Sequence, residues 1–210
     1  LIALPNGVKA VVSKPVTFSA PHSGWAEENP LEWWSNVCAI IPELLEKSGV
    51  AAAEIAGVGV TGMLPAVVLL DQKDELLRPS IQQSDGRCFQ EVTDLKTEIA
   101  EADYLNLAGN GINQQLVGCK MRWIEKNEPE VFARVATVFG SYDFINFKLT
   151  GNKTIERNWA LEAGLVDVSR HVVSDRLLEL AHIAKGILPP KIDSHAIMGH
   201  VSKAASLATG

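Results

Sequence analysis

Three short polar clusters carry most of the side chains with chemical potential. Thr61-Gly62-Met63-Leu64-Pro65 sets a glycine and a proline on an unusual backbone path. Gln82-Gln83-Ser84-Asp85-Gly86-Arg87 groups two amides, a carboxylate and a guanidinium, and Glu156-Arg157-Asn158 stands beside the aromatic Trp159. Such groups supply the mixture of donors and acceptors that a polyhydroxylated ligand requires. Each cluster alone is more often a solvated turn with a local salt bridge, so spacing and composition lead only as far as a small polar ligand.

Other motifs fall short. Gly57-Val58-Gly59 lacks a third glycine at the dinucleotide spacing and sits inside an apolar run rather than after it. No Gly-x-x-x-x-Gly-Lys-Ser or Thr loop occurs. His22, His171, His182, His195 and His200 never recur at the spacing that puts two imidazoles on one helix face, which argues against a histidine metal site. Cys38, Cys88 and Cys119 are far apart and odd in number, suiting neither a disulfide framework nor a zinc knuckle; they read as buried or incidental thiols.

These clusters need a scaffold, and 210 residues with 47% hydrophobic and 21% charged content suffice for one soluble domain with a true core. A net charge of −6 gives no reason to bind nucleic acid or anionic lipid. No apolar run approaches the roughly 20 residues of a bilayer span, and no leader pattern opens the chain, so a cytoplasmic protein is expected. Leu1 to Phe18, turning at Pro5-Asn6-Gly7, predicts a hairpin, and Asn29-Pro30 with Glu32 predicts a capped helix that Gly49 ends. Ile55–Thr61, Ala66–Leu70 and Pro79–Ser84 read as strands, and Phe89–Leu107 as one long helix. Further helices are expected near 120–126, 130–134, 142–149 and 174–181, a strand at 136–140, and a strand or loop through 154–167. Mixed elements without repeats mean an α/β or α+β class.

Taken in order, the segments resemble the FGGY carbohydrate kinases, particularly xylulokinase-like members. Gly24-Trp25-Ala26-Glu27, Asn29-Pro30 and Trp33-Trp34 look like that family's early signature. Gly57 to Gly62 with Val68 to Asp71, Arg78-Pro79 through Asp85-Gly86-Arg87, and Lys120, Trp123 and Glu128-Pro129-Glu130 continue the likeness. Phe144–Gly151, Asp167-Val168, Leu188-Pro189-Pro190 and Gly199-His200-Val201 carry it to the end of the chain.

The resemblance implies an N-terminal sugar-binding domain over 1–210, of the α/β ribonuclease H-like, actin-like fold with extra helices, which closes on a second domain carrying most of the ATP site. It implies transfer of the γ-phosphoryl of Mg-ATP to a sugar hydroxyl, a xylulose-like pentulose foremost, with a carboxylate accepting the hydroxyl proton. ATP and Mg²⁺ are thus the implied cofactors, held mostly outside this chain, and a homodimer is left open. The family's base is an Asp shortly after the Leu-Thr-Gly turn; the matching residue is Glu156, with Glu162 as fallback. A Glu at ~4.3 is also ionised, but its extra methylene moves the oxygens by about a bond length.

The implied sugar contacts are Leu64, Pro65, Gln83, Asp85, Arg87 and Gln115. Met63, Leu64 and Pro65 replace the polar residues of the family's sugar loop, Gln83 replaces an aromatic, and Gln115 stands where glycerol kinases place a tyrosine. These exchanges point to altered sugar choice without naming the sugar. The family's first strand and its Asp-x-Gly-Thr phosphate loop are not in the sequence, so the chain is expected to be part of a longer kinase and inactive alone. A non-catalytic carbohydrate-binding or regulatory module, or a ligand-free structural member of the fold, are the competing expectations.

Overall fold

The first two strands form the expected hairpin: Ile2–Leu4 (β1) runs antiparallel to Gly7–Ala10 (β2). The computed structural model describes residues 1–5 and 7–210, so Asn6 of the expected turn lies outside the described residues. The hairpin is shorter than the sequence suggests. Phe18–Ser19 (β3) belongs instead to a separate sheet, pairing with Glu27–Glu28 (β4).

Helix α1 spans Pro30–Ser48, begun by the Asn29 side chain accepting from the Leu31 N–H and ended by Gly49 in the left-handed conformation, φ 66°. Glu32 does not close a capping box; its carboxylate accepts from the Thr17 N–H and hydroxyl. Trp33 and Trp34 pack half-buried against the core.

Next come Val68–Leu70 (β5) and Ser80–Ile81 (β6), then helices Phe89–Glu98 (α2), Glu101–Ala108 (α3), Val117–Asn127 (α4) and Pro129–Phe132 (α5). Thr137–Phe139 (β7) leads into Ser141–Thr150 (α6), and Ile155–Glu156 (β8) into Arg157–Glu162 (α7). Val166–Asp167 (β9), Val172–Val173 (β10), Asp175–Leu180 (α8), Lys191–Ile192 (β11) and Lys203–Thr209 (α9) complete the order.

The core forms around β5 and β7, which pair antiparallel with all six residues buried. Burying a large apolar side chain contributes about 1.5–3 kcal/mol, so valine, leucine and phenylalanine here make this pair the anchor of the domain. Ile81, Phe144, Ile155, Trp159 and Leu165 pack into the same cluster. A second cluster joins α2, α3 and α4 through Leu95, Tyr104, Leu116, Cys88 and Cys119. Burial pushes the Cys88 and Cys119 thiols up to about 11 and about 12, as suits buried thiols rather than nucleophiles.

Three expectations need correction. Ile55–Thr61 is not a buried strand: no described segment runs alongside to share backbone hydrogen bonds, and most of it is exposed. The long helix over 89–107 is two, parted at Ile99, whose extended backbone keeps its side chain packed on the second cluster while α3 turns Tyr104 toward the Gly164 carbonyl. The strand or loop at 154–167 contains helix α7, started by a Glu cap, a residue type outside the usual cap preferences. The helix begun by Ser174 appears as expected.

Candidate functional site

Glu156 ends β8 in extended conformation and caps α7, so its carboxylate meets the unpaired N–H groups of a new helix. Oε2 accepts from the Asn158 N–H at 2.8 Å, the Trp159 N–H at 3.2 Å and the Tyr142 hydroxyl at 2.7 Å. Oε1 accepts from the Ser194 hydroxyl at 2.5 Å. Burial alone would raise this carboxyl, but the donors from Ser194, Asn158, Tyr142 and Trp159 together hold it below the ordinary glutamate range. Oε2 is saturated, whereas Oε1 keeps an unused lone pair on the side of exposed Ser194.

The backbone of Glu156 is fixed as well. Its N–H donates to Asp143 Oδ1 at 2.8 Å, and Asp143 Oδ2 accepts from the Gly140 N–H at 3.1 Å at the head of α6. Asp143 is almost fully buried, with no cationic partner among the described residues, and desolvation pushes its carboxyl up to about 7. Gly140 is required here because a Cβ would strike the Trp159 ring. Sequence reasoning named Glu156 but missed Tyr142, Asp143 and Ser194. The Tyr-Asp pair following Gly140 at a helix start was the available signal; for Ser194, 38 residues away, there was none.

The Gln82–Cys88 loop forms a second neighbourhood. Asp85 is fully buried; Oδ1 accepts from the Arg87 N–H and Nε, and Oδ2 from Arg87 Nη2 and the Ala26 N–H. Glu27 bridges Arg87 and Arg78 at 2.8 and 2.6 Å, and the Arg87 guanidinium lies 3.7 Å from the centroid of the Trp25 ring. Asp85, expected as a sugar contact, thus spends its oxygens on Arg87 and the Ala26 N–H, whereas Arg87, likewise expected, keeps Nη1 buried without a partner among the described residues. Burial raises the Asp85 carboxyl but is outweighed by these donors, leaving it below its usual range.

Gln83 is half-buried and Gln115 exposed, and their segments meet where the Cys88 thiol donates to the Gln114 carbonyl. Leu64 is half-buried and Pro65 buried. Their loop is held by the Ser141 hydroxyl on the Met63 carbonyl at 2.6 Å and by the Trp159 indole on the Ala66 carbonyl at 2.9 Å. Glu162 stands at the far end of α7, about 9 Å along the axis from Glu156. A cavity of about 650 Å³ runs between α1, the 55–60 segment and α9; Ser194 borders it, but the expected sugar contacts do not. Among the described residues no three His, Cys, Asp or Glu side chains gather as metal ligands. No described helix is long and apolar enough to cross a membrane.

A family model described as the N-terminal domain of the FGGY family of carbohydrate kinases matches residues 6–210. The crystal structure of xylulose kinase from Rhodospirillum rubrum is 50% identical with a TM-score of 0.96, covering 100% of this chain and 44% of that one. Xylulose kinase of Escherichia coli (strain K12) is 27% identical over 206 residues, 96% of this chain and 42% of its own. Glycerol kinase of Rhizobium meliloti (strain 1021) is 28% identical over 186 residues, 85% of this chain and 37% of its own. The chain thus spans less than half the length of these relatives. Its mixed α/β architecture is of the ribonuclease H-like, actin-like class. With the match running from residue 6 to the last residue, the chain belongs to the FGGY family of carbohydrate kinases.

Proposed function

We propose that residues 1–210 are the sugar-binding domain of an ATP-dependent kinase acting on a small sugar or polyol, a xylulose-like pentulose foremost, with Glu156 as the base. The observation that carries this reading is the Glu156 carboxylate, held ionised by four donors with Oε1 still able to accept a proton. In the proposed step the sugar O–H bond breaks toward Oε1 as its oxygen takes up the phosphoryl group supplied by the nucleotide. Positioning dominates such transfers, so a base fixed through both backbone and side chain suits them. The Gln83 and Gln115 amides are assigned to sugar hydroxyls and Leu64 and Pro65 to an apolar wall, while Asp85 and Arg87 shape the loop that presents Gln83. Nucleotide and Mg²⁺ are assigned to parts of the protein beyond these residues, and no step is routed through the metal.

The test is coupled ADP release by the intact protein with D-xylulose, L-xylulose, erythritol and glycerol, beside calorimetric sugar binding. ADP release with a pentulose supports the kinase. Binding without ADP release supports instead a non-catalytic sugar-binding module, a reading favoured by the saturated Oε2 and the Glu in place of the family's Asp. Absence of binding to every sugar contradicts both.

A further inference from the structure

Lys120, the fourth residue of α4, has no exposed surface, and among the described residues no carboxylate lies within ion-pairing distance of its ammonium. Burying an ammonium without a counter-ion is costly, and methionine would fill the same volume without that cost. Packing therefore does not account for the charge, but its hydrogen bonds do. Nζ donates to the Gln82 carbonyl at 2.8 Å and, more weakly, to the Pro65 carbonyl at 3.4 Å.

Those carbonyls lie just past the last rung of a ladder. Val67 and Ile81 exchange backbone hydrogen bonds at 3.0 and 3.2 Å. In that register Ala66 stands opposite Gln82, whose N–H continues the β4–β6 pairing by donating to the Ala26 carbonyl at 2.9 Å, and the next position sets Gln83 opposite Pro65, which has no N–H to donate. The Leu64–Pro65 and Gln82–Gln83 segments would part there, and the ammonium spans the opening. We propose that Lys120 is a positioning residue for the sugar site, tying the Leu64–Pro65 loop to the Gln82–Gln83 loop so that both present their side chains to one ligand. This inference rests on the sugar-kinase reading above.

The tie is titratable. Burial lowers the Lys120 ammonium to about 8, with the Arg87 charge acting in the same direction and the Asp85 charge opposing, while the Cys88 and Cys119 thiols lie alongside. Those are the charged and titratable groups facing it from the Gln82–Cys88 loop and from α4; Met63 to Val67 contribute none. Cys88 and Cys119, pushed to about 11 and about 12, remain protonated where Lys120 loses its proton. A neutral amine donates weaker hydrogen bonds than an ammonium, so the loops loosen as the pH rises through about 8.

The experiment is calorimetric titration of the intact protein with D-xylulose, L-xylulose and glycerol, without nucleotide, from about pH 6.5 to about pH 9.5, with Lys120→Met and Lys120→Arg alongside. For whichever probe binds, the wild-type Kd is expected to rise about tenfold across that range, in line with loss of a charge-assisted hydrogen bond. Lys120→Met should bind weakly at every pH, Lys120→Arg should bind without pH dependence, and kcat at saturating sugar should change less than about twofold. A flat wild-type profile overturns the proposal even if Lys120→Met fails to fold, as does Lys120→Met binding like wild type, or losing kcat with Kd unchanged. If wild type binds none of the probes, the sugar-kinase reading falls and takes this inference with it; binding that ignores Lys120 and pH removes the inference alone.

Discussion

The Trp159 indole Nε1 donates to the Ala66 carbonyl at 2.9 Å, and the same residue's backbone N–H donates to Glu156 Oε2 at 3.2 Å. One buried side chain thus couples the carboxylate assigned as base to the loop assigned to the sugar. Lys120 reaches the carbonyls of neighbouring Pro65 and of Gln82, so hydrogen bonds joined through the Pro65–Ala66 peptide link Glu156 to Gln82.

Trp159→Phe keeps an aromatic ring but leaves a void and an unpaired Ala66 carbonyl in the core. The expected loss of stability is about 2–4 kcal/mol, read by urea denaturation of the intact protein. A loss below about 0.5 kcal/mol would mean that the indole bond is not a structural link.

Tyr142→Phe removes one donor from Glu156 and little volume. Glu156 is ionised above its depressed pKa, and proposed activity is lost as pH falls through that value. Removing the donor raises the pKa, so the acid limb of the kcat profile is expected at higher pH than in wild type. An unmoved acid limb would separate the limb from Glu156.

Much of this arrangement was legible in the sequence. Asn29-Pro30 and Gly49 bound α1 because caps are local, and the apolar runs at β5 and β7 are buried because they have no polar face to expose. Ile55–Thr61 reads the same way locally but lacks a neighbour, and pairing is not a local property. Helix α7 escaped notice because its cap is a glutamate. The order of motifs led to Glu156, but not to the donors around it, which arrive from α6 and from the segment near Ser194. Asp85 and Arg87 lie two residues apart, a spacing that fits an exposed ligand contact and a buried pair equally well; the structure shows the pair buried, and burial is not a local property of the sequence.

Asp85→Asn tests the buried pair. It leaves the buried Arg87 with half of its pairing, and the expected cost is about 3–5 kcal/mol by chemical denaturation. Unchanged stability with lost sugar affinity would restore Asp85 as a direct contact.

Lys120 also predicts a pH-dependent stability difference. Its folded pKa of about 8 lies below the unfolded value of 10.5, so between them the unfolded chain binds more protons and folding is favoured as pH rises. Relative to Lys120→Met, wild type should gain up to about 3 kcal/mol over that window. A difference independent of pH would mean that the ammonium is not strained by burial.

The most direct test of the account is Glu156→Gln in the intact protein, which keeps size and removes the proton acceptor. ADP release with the best sugar is expected to fall at least about 100-fold while the calorimetric Kd for that sugar changes less than about twofold. Turnover equal to wild type would contradict the assignment of Glu156 as the base and move it to Glu162 or beyond.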